Sequence, residues 1–218
     1  MKIKLFNDDY KNVKLCFDNS IIVIDPPFNI GYHYKTYKDK KKEDDYFNEL
    51  VELLKGRPAV VIHYAEALHK LSIKLGYAPE KVVSWVYNSN TSKQHRDIAF
   101  YNIKPDFNKV KQPYKNLKDK RIQERIKRGI KGGRLYDFWY INQVKNVSKK
   151  GISHPCVMPL EVMKNIIGIL PEDKIIIDCF MGSGTTGLAC KLLNRDFIGV
   201  EIDKLYFEEA KKRIEDGN

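Results

Sequence analysis

Apolar residues along the chain follow two rhythms. Short unbroken runs rich in Ile, Val, Phe and Tyr recur six times, over 20–25, 59–63, 81–87, 98–102, 174–178 and 196–202. Runs of this length without alternation are what strands buried on both faces look like, so they predict a mostly parallel sheet. Between them, apolar positions return every third or fourth residue. Tyr46, Leu50 and Leu53 or Leu54 share one helical face, as do Ala67, Leu71 and Leu75, and Tyr206, Ala210 and Ile214. Such stripes predict helices laid on the sheet, and we assign them to core, not chemistry. Strand alternating with helix through 218 residues predicts a single α/β domain over 1–218.

The rhythm breaks at 104–135, where Pro105, Pro113, Gly129, Gly132 and Gly133 punctuate a polar stretch with one amphipathic piece around 117–130. Charge sets this stretch apart. The chain carries a formal net charge of +11, and twelve Lys or Arg against three acids between Lys104 and Arg134 place +9 of it there. A concentrated positive patch implies a polyanionic partner, so 104–135 reads as an insertion on the sheet that meets nucleic acid; a solvated basic loop is the alternative. A hydrophobic share of 43% excludes wholesale disorder, and no apolar run approaches the ~20 residues of a membrane span. The first residues turn polar before a signal-peptide core develops, so the expected location is the cytoplasm. Cys16, Cys156, Cys179 and Cys190 form no C-x-x-C pair, which argues against a zinc knuckle and a disulfide framework, and no metal site is expected.

Two motifs carry candidate chemistry. Asp25, Pro26, Pro27 and Phe28 directly follow the apolar run Ile21 to Ile24, at the carboxyl end of a buried strand, where open α/β sheets place ligands. The prolines fix the backbone and remove two N–H donors. Asp25 carboxylate and Pro26 carbonyl then form an acceptor pair suited to both hydrogens of an NH2 group, and Phe28 offers a flat face to a planar ring. A strand-terminal turn with a satisfied Asp and a core Phe would use the same residues. The second motif runs from Asp178 through Phe180, Gly182, Ser183, Gly184, Thr185 and Thr186 to Gly187, an apolar strand entering a glycine-rich turn and a helix. Its G-x-G-x-x-G spacing points helix-start N–H groups at an anion or carboxylate, and Glu201, closing the next apolar run, stands where an acid holds a ribose diol. The pair implies an adenosine-containing cofactor; a turn used only for strand-to-helix packing is the alternative. A dinucleotide dehydrogenase would share the fingerprint, but the 31 residues after Gly187 are too few for a second mononucleotide half unless the sheet is permuted.

With both motifs in hand, the chain resembles the beta-class amino methyltransferases of DNA, in which D-P-P-[YF] precedes F-x-G-x-G. The likeness extends to Ser153 through Glu161, similar to an H-P-x-x-K-P-L-E segment, and to Gly199, Glu201 and Tyr206 through Ala210 near the end. It implies a Rossmann-like seven-stranded methyltransferase sheet with permuted motif order. It also implies that Asp178, Phe180, Gly182, Ser183, Gly184, Thr185, Thr186 and Glu201 surround S-adenosylmethionine, and that a flipped-out DNA base meets Asp25 to Phe28. Asp-Pro-Pro-Phe is more usual of members acting on adenine N6 than on cytosine N4. His154 is either a cofactor-side residue or an ordinary turn histidine. Met158 replaces the family's lysine, which moves any contact with the cofactor's carboxylate to helix-start amides near Thr185 and Thr186.

Rival readings are cytosine C5 methylation through Cys156, RNA methylation, and a non-catalytic nucleic-acid module. Cys156 precedes the glycine motif where the C5 enzymes' Pro-Cys pair follows it, which argues against the first. The recognition sequence and oligomeric state stay open, a homodimer included, as does a restriction-linked, solitary or virus-encoded role.

Overall fold

The structure is a computed structural model that describes residues 1–32, 39–144 and 156–217. Ten strands and six helices follow in the order β1 (Ile3–Asn7), β2 (Ser20–Ile24), α1 (Glu43–Leu54), β3 (Ala59–His63), α2 (Ala65–Leu75), β4 (Lys81–Val86), β5 (His95–Tyr101), β6 (Lys111–Gln112), α3 (Lys120–Lys127), β7 (Gly133–Arg134), β8 (Phe138–Tyr140), α4 (Leu160–Gly168), β9 (Ile175–Asp178), α5 (Thr185–Leu192), β10 (Phe197–Glu201) and α6 (Lys204–Asp216). All six runs read as strands are strands.

The main sheet has eight strands, ordered β1-β10-β9-β2-β3-β5-β4-β8, where seven were expected. The eighth is β8, three residues that pair parallel with β4 at one edge. All ladders of this sheet are parallel except those of β5, which runs antiparallel to both β3 and β4. β2 and β3 are buried at every position because helices cover both faces. Ile21 and Val23 point to a core shared with α4, α5 and α6, while Ile22 and Ile24 point to a second core with α1 and α2. The predicted stripes face these cores, with Leu68 instead of Ala67 the buried residue at the start of α2.

Residues 104–135 leave the sheet after β5 and are closed at the base. Asp106 N–H donates to Ile169 carbonyl at the end of α4 (2.8 Å), Leu135 N–H donates to Phe107 carbonyl within the segment (3.0 Å), and Leu135 is buried in the core that Phe107 and Val110 pack against. Within the segment, β6 and β7 form a small antiparallel ladder. α3 begins at Asp119, whose carboxylate accepts from Arg121 N–H as an N-cap, and no residue of α3 is buried.

Candidate active site

β10, β9 and β2 are adjacent and parallel, so Glu201, Asp178 and Asp25 stand side by side at their carboxyl ends. From β9 the chain crosses through α5 on one face to β10; from β2 it crosses through α1 on the other face to β3. The gap between β9 and β2 is therefore a topological switch point, the place where such sheets open a crevice. A cavity of about 330 Å³ occupies it, lined by Asp25 to Phe28 and by Asp178, Phe180, Gly182, Ser183, Thr185, Thr186 and Glu201. Two motifs far apart in sequence thus share one wall-to-wall site.

On the acceptor side, Asp25 Oδ2 lies 3.5 Å from Arg96 Nη1, and Oδ1 is buried without a hydrogen-bond partner among the described residues. Burial pushes the carboxyl up to about 6 against the pull of Arg96. Phe28 stacks on His63 at 4.3 Å and meets Tyr64 edge-on at 5.0 Å, with the Arg96 guanidinium 4.7 Å from its centroid. The ring expected to receive a base is already engaged, so an incoming base has to share or displace these contacts. His63 itself is neutral. Tyr64 N–H donates to Nδ1 (2.8 Å), Nε2 faces the Tyr46 hydroxyl (3.0 Å), and burial lowers the imidazole to about 3. The loop beyond Phe28 turns at Asn29 (φ 58°) and is tied by the buried Asp39, whose carboxylate accepts from the N–H groups of Asn29 (2.7 Å) and Tyr32 (3.0 Å).

The glycine loop is held as firmly. Asp178 accepts from Phe180 N–H (2.9 Å) and Thr186 Oγ1 (2.6 Å), yet burial still raises it to about 7. Glu201 accepts Gly182 N–H on one oxygen and Asp203 N–H on the other, each at 2.8 Å, with burial raising its pKa. Arg213 of α6 donates to Ser183 carbonyl (3.0 Å) and Thr185 Oγ1 (2.8 Å). The Thr185 and Thr186 hydroxyls therefore brace the loop. Gly184 (φ 77°) stands behind the cavity wall, and a Cβ there would lie 2.9 Å from that of Ala210.

These features suit an adenosyl cofactor. Glu201 lines the cavity with a carboxylate, an acceptor suited to a diol. The unpartnered Asp25 Oδ1 marks a place for a donor, and a cavity of this size is of the order that small ligands fill.

The structure also brings in residues that the sequence pattern did not single out. Tyr10, after β1, meets Phe180 edge-on at 5.3 Å, and Asp8, Asp9 and Lys11 line the same wall. Arg96 comes from β5. Met158 is buried at the α4 core; Lys11 and Lys41, which border the cavity, both pair with Glu49. Burial raises the Cys156 thiol at the cavity rim, which is unlike an activated nucleophile. His154 lies outside the described residues.

Known structures share the fold. The chain aligns with the PvuII DNA methyltransferase (cytosine-N4-specific) at a TM-score of 0.66 and 15% identity, covering 100% of this chain and 91% of that one. It aligns with the M1.HpyAVI-SAM complex at 0.61 and 22% identity, covering 97% and 98%. The chain therefore shares the α/β fold of these structures, a mostly parallel sheet covered by helices. In sequence, the type II methyltransferase M.HpaI of Haemophilus parainfluenzae is 29% identical over 232 residues, 94% of this chain and 71% of that protein. The N6/N4 DNA methylase family profile matches residues 20–212, and the chain belongs to that family of amino methyltransferases of DNA, in its beta-class form. S-adenosylmethionine is the family's methyl donor.

Proposed function

We propose that the chain methylates the N6 amino group of adenine in DNA, with Asp25 and Pro26 as the acceptor pair for the target amine. The observation that carries this reading is the buried, unpartnered Asp25 Oδ1 in a cavity shared with the glycine loop. S-adenosylmethionine supplies an already activated methyl group, so no covalent enzyme intermediate is needed. Asp178, Phe180, Gly182, Ser183 and Glu201 would hold it, Glu201 at the ribose. Asp25 draws one amino hydrogen and the Pro26 carbonyl the other, which localises the nitrogen lone pair for attack. As the new C–N bond forms, the methyl–sulfur bond would break with its electron pair left on the departing thioether, and the nitrogen becomes cationic and releases one proton. A carboxylate titrating at about 6 is ionised at neutral pH yet basic enough to take that proton.

A duplex base reaches the cavity only after leaving its stack, at a cost of a few kcal/mol. Tyr64 and Phe28 offer aromatic edges and faces at the entrance. Residues 104–135 would supply phosphate contacts, because α3 exposes Lys120, Arg121, Arg125 and Lys127 from a segment closed at its base. The Asp-Pro-Pro-Phe form favours adenine over cytosine.

Asp25→Ala should lower transfer by at least ~100-fold while leaving the dissociation constant of S-adenosylmethionine within about twofold by calorimetry. Turnover retained in that variant would remove the proposed role of the acceptor pair.

A further inference from the structure

Arg96 belongs to neither motif, and its position is unusual for a buried arginine. β5 carries it opposite Trp85 of β4, and its guanidinium lies 5.5 Å from the Trp85 ring and 4.7 Å from that of Phe28. Its side chain is only 14% exposed and, among the described residues, its Nε has no hydrogen-bond partner; Tyr87 meets the guanidinium as a side-chain hydrogen-bond partner, and the carboxylate this desolvated cation approaches is that of Asp25, with Oδ2 at 3.5 Å. Two aromatic rings restrict the fork to that direction.

We infer that Arg96 is a positioning residue for methyl transfer: it keeps Asp25 ionised and turned so that Oδ2 is spent on the arginine and Oδ1 faces the target amine. The inference rests on the acceptor role of Asp25 proposed above. An amino group brings only donors toward the carboxyl, and a protonated Asp25 would present a donor in return. Left alone in this cavity, the carboxyl would be protonated. Burial disfavours its charge, and Asp178 of the neighbouring β9, itself raised to about 7, supplies no cation to offset that. The other titratable groups facing it do not offset this. Tyr87 beyond β4 and Cys156 ahead of α4 have raised pKa values, and His63 of β3 is neutral. Lys93 is spent on Glu66 and the Tyr64 ring. Among the described residues, Arg96 is the cation that faces Asp25.

Single-turnover methyl transfer to unmethylated genomic DNA, followed against pH, separates this role from a purely structural one. In the wild type, activity should fall on acidification with a midpoint near 6, since the active form is the ionised carboxylate. Arg96→Gln should move that midpoint upward by about one pH unit or more and recover rate at alkaline pH. Arg96→Lys should hold the midpoint but lower the plateau about tenfold, because an ammonium keeps the charge and loses the stacked fork. S-adenosylmethionine affinity by calorimetry should stay within about twofold in both. An unmoved midpoint in Arg96→Gln, a loss uniform across pH, or loss of cofactor binding in both variants would each overturn the inference. Asp25→Ala, run alongside, distinguishes the failures. Activity in that variant removes the acceptor reading itself, whereas inactivity with an unmoved Arg96→Gln midpoint removes only the role of Arg96.

Discussion

Three acids at adjacent strand ends do different work because their surroundings differ. Glu201 accepts backbone N–H groups of Gly182 and Asp203, one on each oxygen, which fixes both its rotamer and the glycine loop. Asp178 is a brace, tying Phe180 N–H to the Thr186 hydroxyl. Asp25 alone keeps an open oxygen. The glycines divide in the same way, with Gly182 on the cavity wall and Gly184 behind it, where left-handed backbone lets α6 approach. Gly184→Ala should therefore destabilise the protein by about 1–3 kcal/mol and weaken S-adenosylmethionine binding, because its Cβ meets Ala210 and its φ penalises any side chain. Thermal unfolding and calorimetry check both effects; unchanged values would mean that α6 yields without disturbing the loop.

At the level of elements, legibility followed burial. β2, β3 and β9 are covered on both faces, so their sequences are plain apolar runs, and the chemistry sits at the residue where each run stops. Asp25 and Asp178 were readable for that reason. β1 was not, because an edge strand buries only part of its residues and Ile3–Asn7 reads as a polar terminus; Tyr10 was lost with it. β5 begins at His95, three residues before its apolar part, and the polar portion that resembled loop holds Arg96. β8 is too short for any periodicity to register. The amphipathic piece around 117–130 became α3 over Lys120–Lys127, but its Ile126 remains 46% exposed and meets no core. An exposed basic helix of this kind predicts a specific salt response. Replacing Lys120, Arg125 and Lys127 together by Gln should weaken DNA binding and reduce the slope of log K against log salt by about 3, at ~0.9 for each phosphate no longer neutralised. Cofactor affinity should not change. A slope equal to that of the wild type would detach α3 from the DNA interface.

For the whole molecule, the strand order is what joins the parts. The acceptor loop and the glycine loop come from opposite ends of the chain, yet β2 pairs with β9 and places both at one switch point. The motifs and their order were visible in the sequence; their adjacency follows from pairing, which no local pattern encodes. The described helices include none long and apolar enough to cross a membrane. The positive charge is gathered in the segment between β5 and β8, beyond the sheet that holds the cavity. The proposed function assigns the grip on a polyanion to that segment and the modification of a base to the cavity. The most direct test is transfer of labelled methyl from S-adenosylmethionine to unmethylated genomic DNA, followed by digestion to nucleosides and mass identification of the product. The account predicts N6-methyldeoxyadenosine. N4-methyldeoxycytidine would contradict the choice of base, and no methylated nucleoside from a preparation that binds the cofactor would contradict the proposed reaction itself.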